Sequence, residues 1–536
     1  MECHCLAAHE LPHTSKLYSA FLTDYARVQR FYAHTPDLRG AKAAAKNAQV
    51  PAEIRSQIAG MLREQNRAFG AGDDVQRNID KLAAGAAAVV TGQQVGLFGG
   101  PAYSFYKALT AIALAAELTR AGTDAVPVFW LASEDHDLAE INHCYWPASG
   151  GVIERLALDS SESDAGKSVG RITLGAAAGP LVKRATELLE GESSDWVAGA
   201  LREGYAPGET YATAFAKLMT RLLAGRGLIL LDPIDARVHR MAAPVYARAL
   251  DERDALTKDL LARGKELERK GYHSQVKVTE RGTLLFLHVE GERIALHKKG
   301  DDLVAGPRTF SPVELRELVE SSPERFSANA LLRPVVQDSL LPTAAYIGGP
   351  AEIAYFAQSQ VIYQRLLGRM PAVLPRAGFT LVDLHVAKLL KRYGLRVQDV
   401  LAGRQGVRRT MELASLPRGL ARQFDGGEKA LRSLLRKLRS PLRKLDRTLE
   451  GALETAERKM LYQFLKMRGK AGRAENLRTG VLDRHERALV DSLFPHHAPQ
   501  ERAHSLLPWL ARYGPELLDE LGRKATGGTQ HQVLFL

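Results

Sequence analysis

The chain has 536 residues, 45% of them hydrophobic and 25% charged, with a formal net charge of +12 and three cysteines. That length implies two or three structural units, and that composition excludes a disordered chain. Cys3, Cys5 and Cys144 are too few for a disulfide scaffold, no apolar run approaches the length of a membrane span, and MECHCLAAHELPHTSK lacks the basic start and apolar core of a secretory signal. A cytoplasmic protein with no membrane partner is therefore expected. Cys3-His4-Cys5 has ligating side chains but no second pair, so it reads as an incidental terminal stretch.

Residues 1–85 read as helical, with Phe21, Tyr25, Val28 and Phe31 at helical spacing. AAAVVTGQQ (86–94) is then an apolar, β-branched strand leading into a glycine-rich turn. A helix from about Ala102 to Ala121 follows, and AVPVFWLAS (125–133) is a second strand. Strand, turn, helix and strand make a βαβ unit, whose crossover favours a parallel sheet. GLILLDP (227–233), RPVVQDSLLP (333–342) and PAVLPR (371–376) suggest a second set of the same kind. Two insertions are expected, at about 145–175 and 275–304; the latter, QVKVTERGTLLFLHVEGERIALHKKG, reads as an antiparallel meander.

This α/β core with inserted small subdomains spans 1–381, and a basic helical unit spans 382–475. There Leu431, Leu435, Leu438, Leu442, Leu445, Leu449, Ala452 and Ala456 form a heptad seam, the mark of a coiled coil. Ser440-Pro441 implies a kink or a fresh helix start. Residues 476–536 end in GTQHQVLFL, a strand expected to return to the sheet edge. Between Glu428 and Lys470 stand thirteen Lys/Arg and five Asp/Glu, so much of the excess charge lies on one helical segment. With only Tyr462 and Phe464 as aromatics, that segment offers no base-stacking platform, and it reads as a solvated face or a nucleotide-phosphate contact rather than a duplex-binding surface.

In open α/β sheets ligands bind beyond the carboxyl ends of the strands, where three polar constellations fall. The first holds Gln93, Gln94, Gly96, Gly99 and Gly100, then Tyr103 and Lys107 on the following helix. Its glycines allow close approach to a ligand, and Lys107 is placed to reach a phosphate or carboxylate. It is neither a phosphate-loop nor a dinucleotide fingerprint, so no cofactor follows from its spacing. The second is Glu134, Asp135, His136 and Asp137, with Glu140, Asn142 and His143. Acids crowded around a histidine suit a general base for an attacking amine, a metal site through His136, Asp137 and His143, or a helix N-cap. The third joins Arg333, Gln337, Asp338, Tyr346, Gly348 and Gly349 to Glu352, Tyr355 and Gln358, polar residues spread over one helix face. Arg333 and Arg376 suit a bidentate grip on an anion. The three constellations are expected to meet around one cavity.

TGQQVGLFGGPAYSFYK (91–107), PVFWLASEDHDLAEINH (127–143) and RPVVQDSLLPTAAYIGGPAEIAYFAQ (333–358) resemble, in order and spacing, the signature segments of the cysteine ligase family BshC of bacillithiol biosynthesis. LPHTSKLYSAFL, FYAHTPDL and the C-terminal helices extend the likeness over nearly the whole chain. The resemblance implies a Rossmann-like core, a protruding coiled coil, a homodimer, and amide formation between cysteine and glucosaminyl-malate. It also implies that an adenine nucleotide, ATP or ADP, binds near the coiled coil; the synthetase motifs H-I-G-H and K-M-S-K-S are absent, so adenylation does not follow by motif. Two rival readings stand beside it: a ligase or nucleotidyltransferase of the same core acting on another amine or amino acid, and a non-enzymatic nucleic-acid- or partner-binding protein using the basic coiled coil.

Overall fold

The computed structural model describes residues 2–148, 152–159, 161–414, 416–525 and 528–536. The chain opens with β1 (Glu2–Ala7), which corrects the expectation of a wholly helical start; those residues find their partner strand at the far end of the chain. Helices then dominate as far as Ala84. β2 (Ala87–Gln93), the helix Tyr103–Arg120 and β3 (Ala125–Leu131) form the βαβ unit read from the sequence. A hairpin, β4 (His143–Ala148) and β5 (Val152–Ala157), precedes β6 (Ile229–Leu231).

The second insertion is a five-stranded antiparallel sheet of β7 (Gly282–Val289), β8 (Glu292–Lys299), β9 (Asp302–Ala305), β10 (Arg308–Phe310) and β11 (Phe326–Ala328). Its Glu-Gly turn forms as expected, with Glu290 and Gly291 both at positive φ. The expected first run, QVKVTE, is no strand. Instead the side-chain amide of Gln358 takes both backbone groups of Val276, accepting from its N–H and donating to its C=O at 2.9 Å each. Residues Arg333–Leu340 are likewise a helix, and the strand begins after them.

β12 (Thr343–Gly348), the helix Pro350–Leu366 and β13 (Ala372–Pro375) complete the parallel sheet, whose order is β13-β12-β2-β3-β6. From β2 the chain lays β3 and β6 on one side, then crosses to lay β12 and β13 on the other. The direction therefore reverses between β2 and β12, the switch point at which doubly wound sheets bind ligands. Burial on both faces explains the uninterrupted apolar runs: Ala88 and Val90 pack into one core, Ala87 and Val89 into the opposite one.

β14 (Gly378–Val382) follows β13 after only Arg376 and Ala377, and pairs in parallel with β15 (Gln530–Phe535). β15 also pairs antiparallel with β1. The C-terminal strand thus returns, but to a separate three-stranded sheet rather than to the edge of the parallel one.

The helices Arg418–Leu445 and Thr448–Thr479 form the coiled-coil hairpin, with Arg439–Glu454 and Arg468–Asp425 ion pairs across it. The expected seam is split, because it runs over the hairpin turn at Asp446 and Arg447. Leu435, Leu453 and Leu461 are buried, whereas Leu438 and Leu445 are exposed. The helix also continues through Pro441, which lies on its exposed side, where a missing backbone hydrogen bond costs least. Among the described residues no helix is long and apolar enough to cross a membrane.

The C-terminal segment is stitched to the core beside His504, whose backbone accepts from Ala102 N at 2.8 Å while Ser505 N donates to Tyr145 O at 2.9 Å. Burial pushes the His504 imidazole down to about 3 and that of His239 to about 4, from an ordinary 6.5. Below pH 6.5 the unfolded chain therefore binds protons that the fold refuses, so stability is full above that pH and falls as the pH drops toward the folded values. Urea denaturation at about pH 7.5, 6 and 5 should show a progressive loss, and His504→Phe should flatten it.

Candidate active site

A cavity of about 320 Å³ opens at the switch point. β2 contributes Gly92 and Gln93, with Gln94 just beyond; the next helix contributes Tyr103 and Lys107. The β3 end contributes Trp130, Ala132, Asp135 and Glu140. Arg333, Tyr346, Gly349, Glu352 and Tyr355 come from the 333–358 stretch, and Arg376 and Arg502 close the wall. The three constellations do meet around one cavity.

Lys107 is 3% exposed, and its three ammonium protons have three acceptors: Gly92 O at 2.7 Å, Gln93 Oε1 at 2.9 Å and the Glu352 carboxylate. It braces β2 against the helix Pro350–Leu366 rather than offering a free cation. Burial lowers its pKa against the pull of Glu352. Burial would raise the Glu352 carboxyl, but Lys107 and the Gly349 N–H, which donates to it at 2.8 Å, hold it below the ordinary value. Tyr346 donates to the other Glu352 oxygen at 2.5 Å.

Arg333 directs its guanidinium to neutral groups only: Gln337 Oε1 at 3.0 Å, Tyr355 OH at 3.0 Å and Tyr346 OH at 3.3 Å. Among the described residues no carboxylate pairs with it directly, and it lines the cavity. Burial alone would lower its pKa, yet the surrounding hydroxyls and Glu352 raise it, so it keeps its charge. A half-buried cation held by neutral groups is a ready partner for an anionic ligand. Arg376 differs, since Glu501 accepts both of its forked N–H groups, at 2.5 and 2.9 Å.

On the acidic side, Gln94 Nε2 donates to Asp135 Oδ2 at 2.8 Å and to Glu140 Oε2 at 2.9 Å. One amide thus holds two carboxylates beside the cavity. Gln93 Nε2 donates to Tyr103 OH at 3.0 Å, completing the floor.

Other sequence-predicted residues stand elsewhere. Gly96, Gly99 and Gly100 shape the turn outside the cavity: a Cβ on Gly96 would meet Gly100 Cα at 2.9 Å, and Gly99 and Gly100 hold positive φ. Gly348 lies just below Gly349, and a Cβ there would crowd Glu352 at 3.3 Å. Gln337 supports Arg333 and donates to Asp338 Oδ1, while Asp338 is buried against Tyr363. Gln358 serves Val276, as described above.

Glu134 is buried behind the cavity, 3.7 Å from His239 Nε2, and burial pushes its carboxyl up to about 7. His136 faces the antiparallel insert, with Arg293 Nη1 at 3.1 Å and the Phe286 ring 5.9 Å away. Asp137 accepts from Glu140 N at 3.2 Å, the N-cap geometry. Asn142 donates to Leu158 O, and His143 lies in β4 beside Tyr145. Among the described residues no three His, Cys, Asp or Glu side chains converge as metal ligands, His136, Asp137 and His143 included.

Sequence reading missed Trp130, Ala132 and Arg502. Arg502 has no local signal, because the returning C-terminal segment alone brings it here.

The family model described as "Bacillithiol biosynthesis BshC, N-terminal Rossmann-like domain" matches residues 1–377, and its companion, "Bacillithiol biosynthesis BshC, C-terminal coiled-coil domain", matches 379–536. A relative from Koribacter versatilis (strain Ellin345) is 41% identical over 530 residues, covering 99% of each chain. Others from Solibacter usitatus (strain Ellin6076) and Chlorobaculum tepidum are 39% and 34% identical, with 96% of this chain covered in both and 96% and 92% of theirs. All three carry the name "Putative cysteine ligase BshC". A Rossmann-like sheet with its cavity at the switch point, a coiled-coil hairpin and full-length similarity agree: the chain belongs to the BshC family of bacillithiol biosynthesis.

Proposed function

We propose that the chain is a carbon–nitrogen ligase that joins the carboxyl of cysteine to the amine of glucosaminyl-malate, forming the amide of bacillithiol. The observation that carries this reading is the pairing, within one cavity, of two carboxylates tied to Gln94 with the half-buried Arg333, which pairs with no carboxylate among the described residues. That arrangement complements a zwitterion: Asp135 and Glu140 receive an ammonium, and Arg333 receives a carboxylate. The acceptor nitrogen attacks the carboxyl carbon, and a cavity carboxylate takes the proton it sheds. One carboxyl oxygen departs. Amide formation from a free carboxylate is uphill in water, so that oxygen leaves on an activating group; ATP, giving an adenylate and pyrophosphate, is the donor to be tested.

The full chain incubated with cysteine, glucosaminyl-malate and ATP should yield a product of the summed mass less one water, read by mass spectrometry, and each omission should abolish it. Turnover undiminished without nucleotide would remove the adenylate step. No amide under either condition, with another amine consumed instead, would replace this reaction with that of a ligase acting on a different acceptor.

A further inference from the structure

A second cavity of about 320 Å³ adjoins the first and shares Pro350, Arg376 and Arg502 with it. It lies where the N-terminal segment, β14, the start of β15 and the 498–502 turn come together. Its location follows from the small sheet: β15 returns beside β14, and Arg376 occupies the two-residue step between β13 and β14, facing both chambers.

Three polar side chains there lack a partner. Tyr18 is 7% exposed, and its hydroxyl makes no hydrogen bond among the described residues. His531 is 1% exposed; its Nε2 meets Thr380 Oγ1 at 2.8 Å, while its buried Nδ1 has no partner. Gly378 packs against that nitrogen, where a Cβ would stand 2.6 Å from it and 3.3 Å from a Glu501 carboxylate oxygen. The Arg502 side chain, at the joint between the chambers, makes no ion pair or hydrogen bond among the described residues. The rim is strained too. His13, His496 and His497 hold positive φ, and His13 Nε2 meets His497 O at 3.0 Å. Such backbone persists where the surroundings over-determine it, and clusters at binding sites.

Charge selects the ligand. Glu501 neutralises Arg376, which leaves the exposed Arg502 as the unpaired guanidinium among the described lining residues. One free guanidinium with a free hydroxyl beyond it suits a small carboxylate ligand, an acid group on each, and offers too little positive charge for a polyphosphate. We propose that this second chamber holds the carboxylate-bearing half of the acceptor, gripped by Arg502 at the joint and by the Tyr18 hydroxyl within. The inference rests on the proposed reaction and adds where the acceptor lies: its acid in the second chamber, its amine toward Asp135 in the first.

Malate alone is the probe, titrated calorimetrically into the full chain and into Tyr18→Phe and Arg502→Gln, with melting of the unliganded variants as the folding control. Malate should bind the parent chain, about tenfold more weakly after Tyr18→Phe and more weakly still after Arg502→Gln. In turnover, Tyr18→Phe should raise KM for the acceptor by about tenfold and leave kcat and KM for cysteine unchanged. Amide formation with an unchanged acceptor KM in both variants overturns the chamber and leaves the reaction standing. Malate binding that weakens as described, without any amide product, supports the chamber and overturns the reaction.

Discussion

Glu501→Ala should destabilise the fold by about 3–5 kcal/mol, because it strands a buried guanidinium. Arg376 and Glu501 are each 6% exposed, and the Glu501 carboxylate also accepts from Phe379 N at 3.0 Å. Burial alone would raise the Glu501 carboxyl, but Arg376 holds it below the ordinary 4.5. Its contribution is therefore complete above pH 4.5 and is lost as the pH falls through the folded value. Equilibrium denaturation at neutral pH measures the loss directly, and in the variant the acid limb below pH 4.5 should be shallower. Glu501→Gln keeps the acceptor oxygen without the charge and should fall between the two. The pair joins the β13–β14 step to the C-terminal segment, so the variant should also expose that segment to proteolysis first.

Asp135→Asn should lower turnover by about 10²–10⁴-fold, the range for loss of a general base, while leaving the melting temperature nearly unchanged. Asn keeps one of the two oxygens that accept from Gln94 Nε2 and His136 N, so the local backbone retains most of its support. The lost group is the one that takes the proton. Rapid-quench and steady-state rates separate the alternatives. A fall in kcat with cysteine KM unchanged marks proton transfer, whereas a rise in KM alone marks ammonium binding.

The parts of this site written into single strands were legible in the sequence. β2 and β3 are buried on both faces, so they stand out as apolar runs, and the residues just after them, Gln93, Gln94 and Asp135, fall at the cavity because strand ends point there. Local pattern misled where polar groups serve the fold. Gln358 shares a helix face with Tyr355 and Glu352, yet it satisfies a strand-like segment that never pairs. Lys107 stands at the cavity with all its donors already taken, which depends on Glu352, a residue 245 positions away. Arg502 and Glu501 were invisible for the same reason. Their approach to Arg376 is made where the Gln500 and Glu501 side chains bond the β14 backbone at Leu381 and Phe379, a contact between distant segments that no local periodicity encodes.

The most direct measurement is a crystal structure of the full chain with the amide product bound. The product should span the switch-point cavity, its amide nitrogen beside Asp135, its amide oxygen toward Arg333 and a carboxylate on Arg502. Product seated on the coiled-coil hairpin, with that cavity empty at full occupancy elsewhere, would contradict the account.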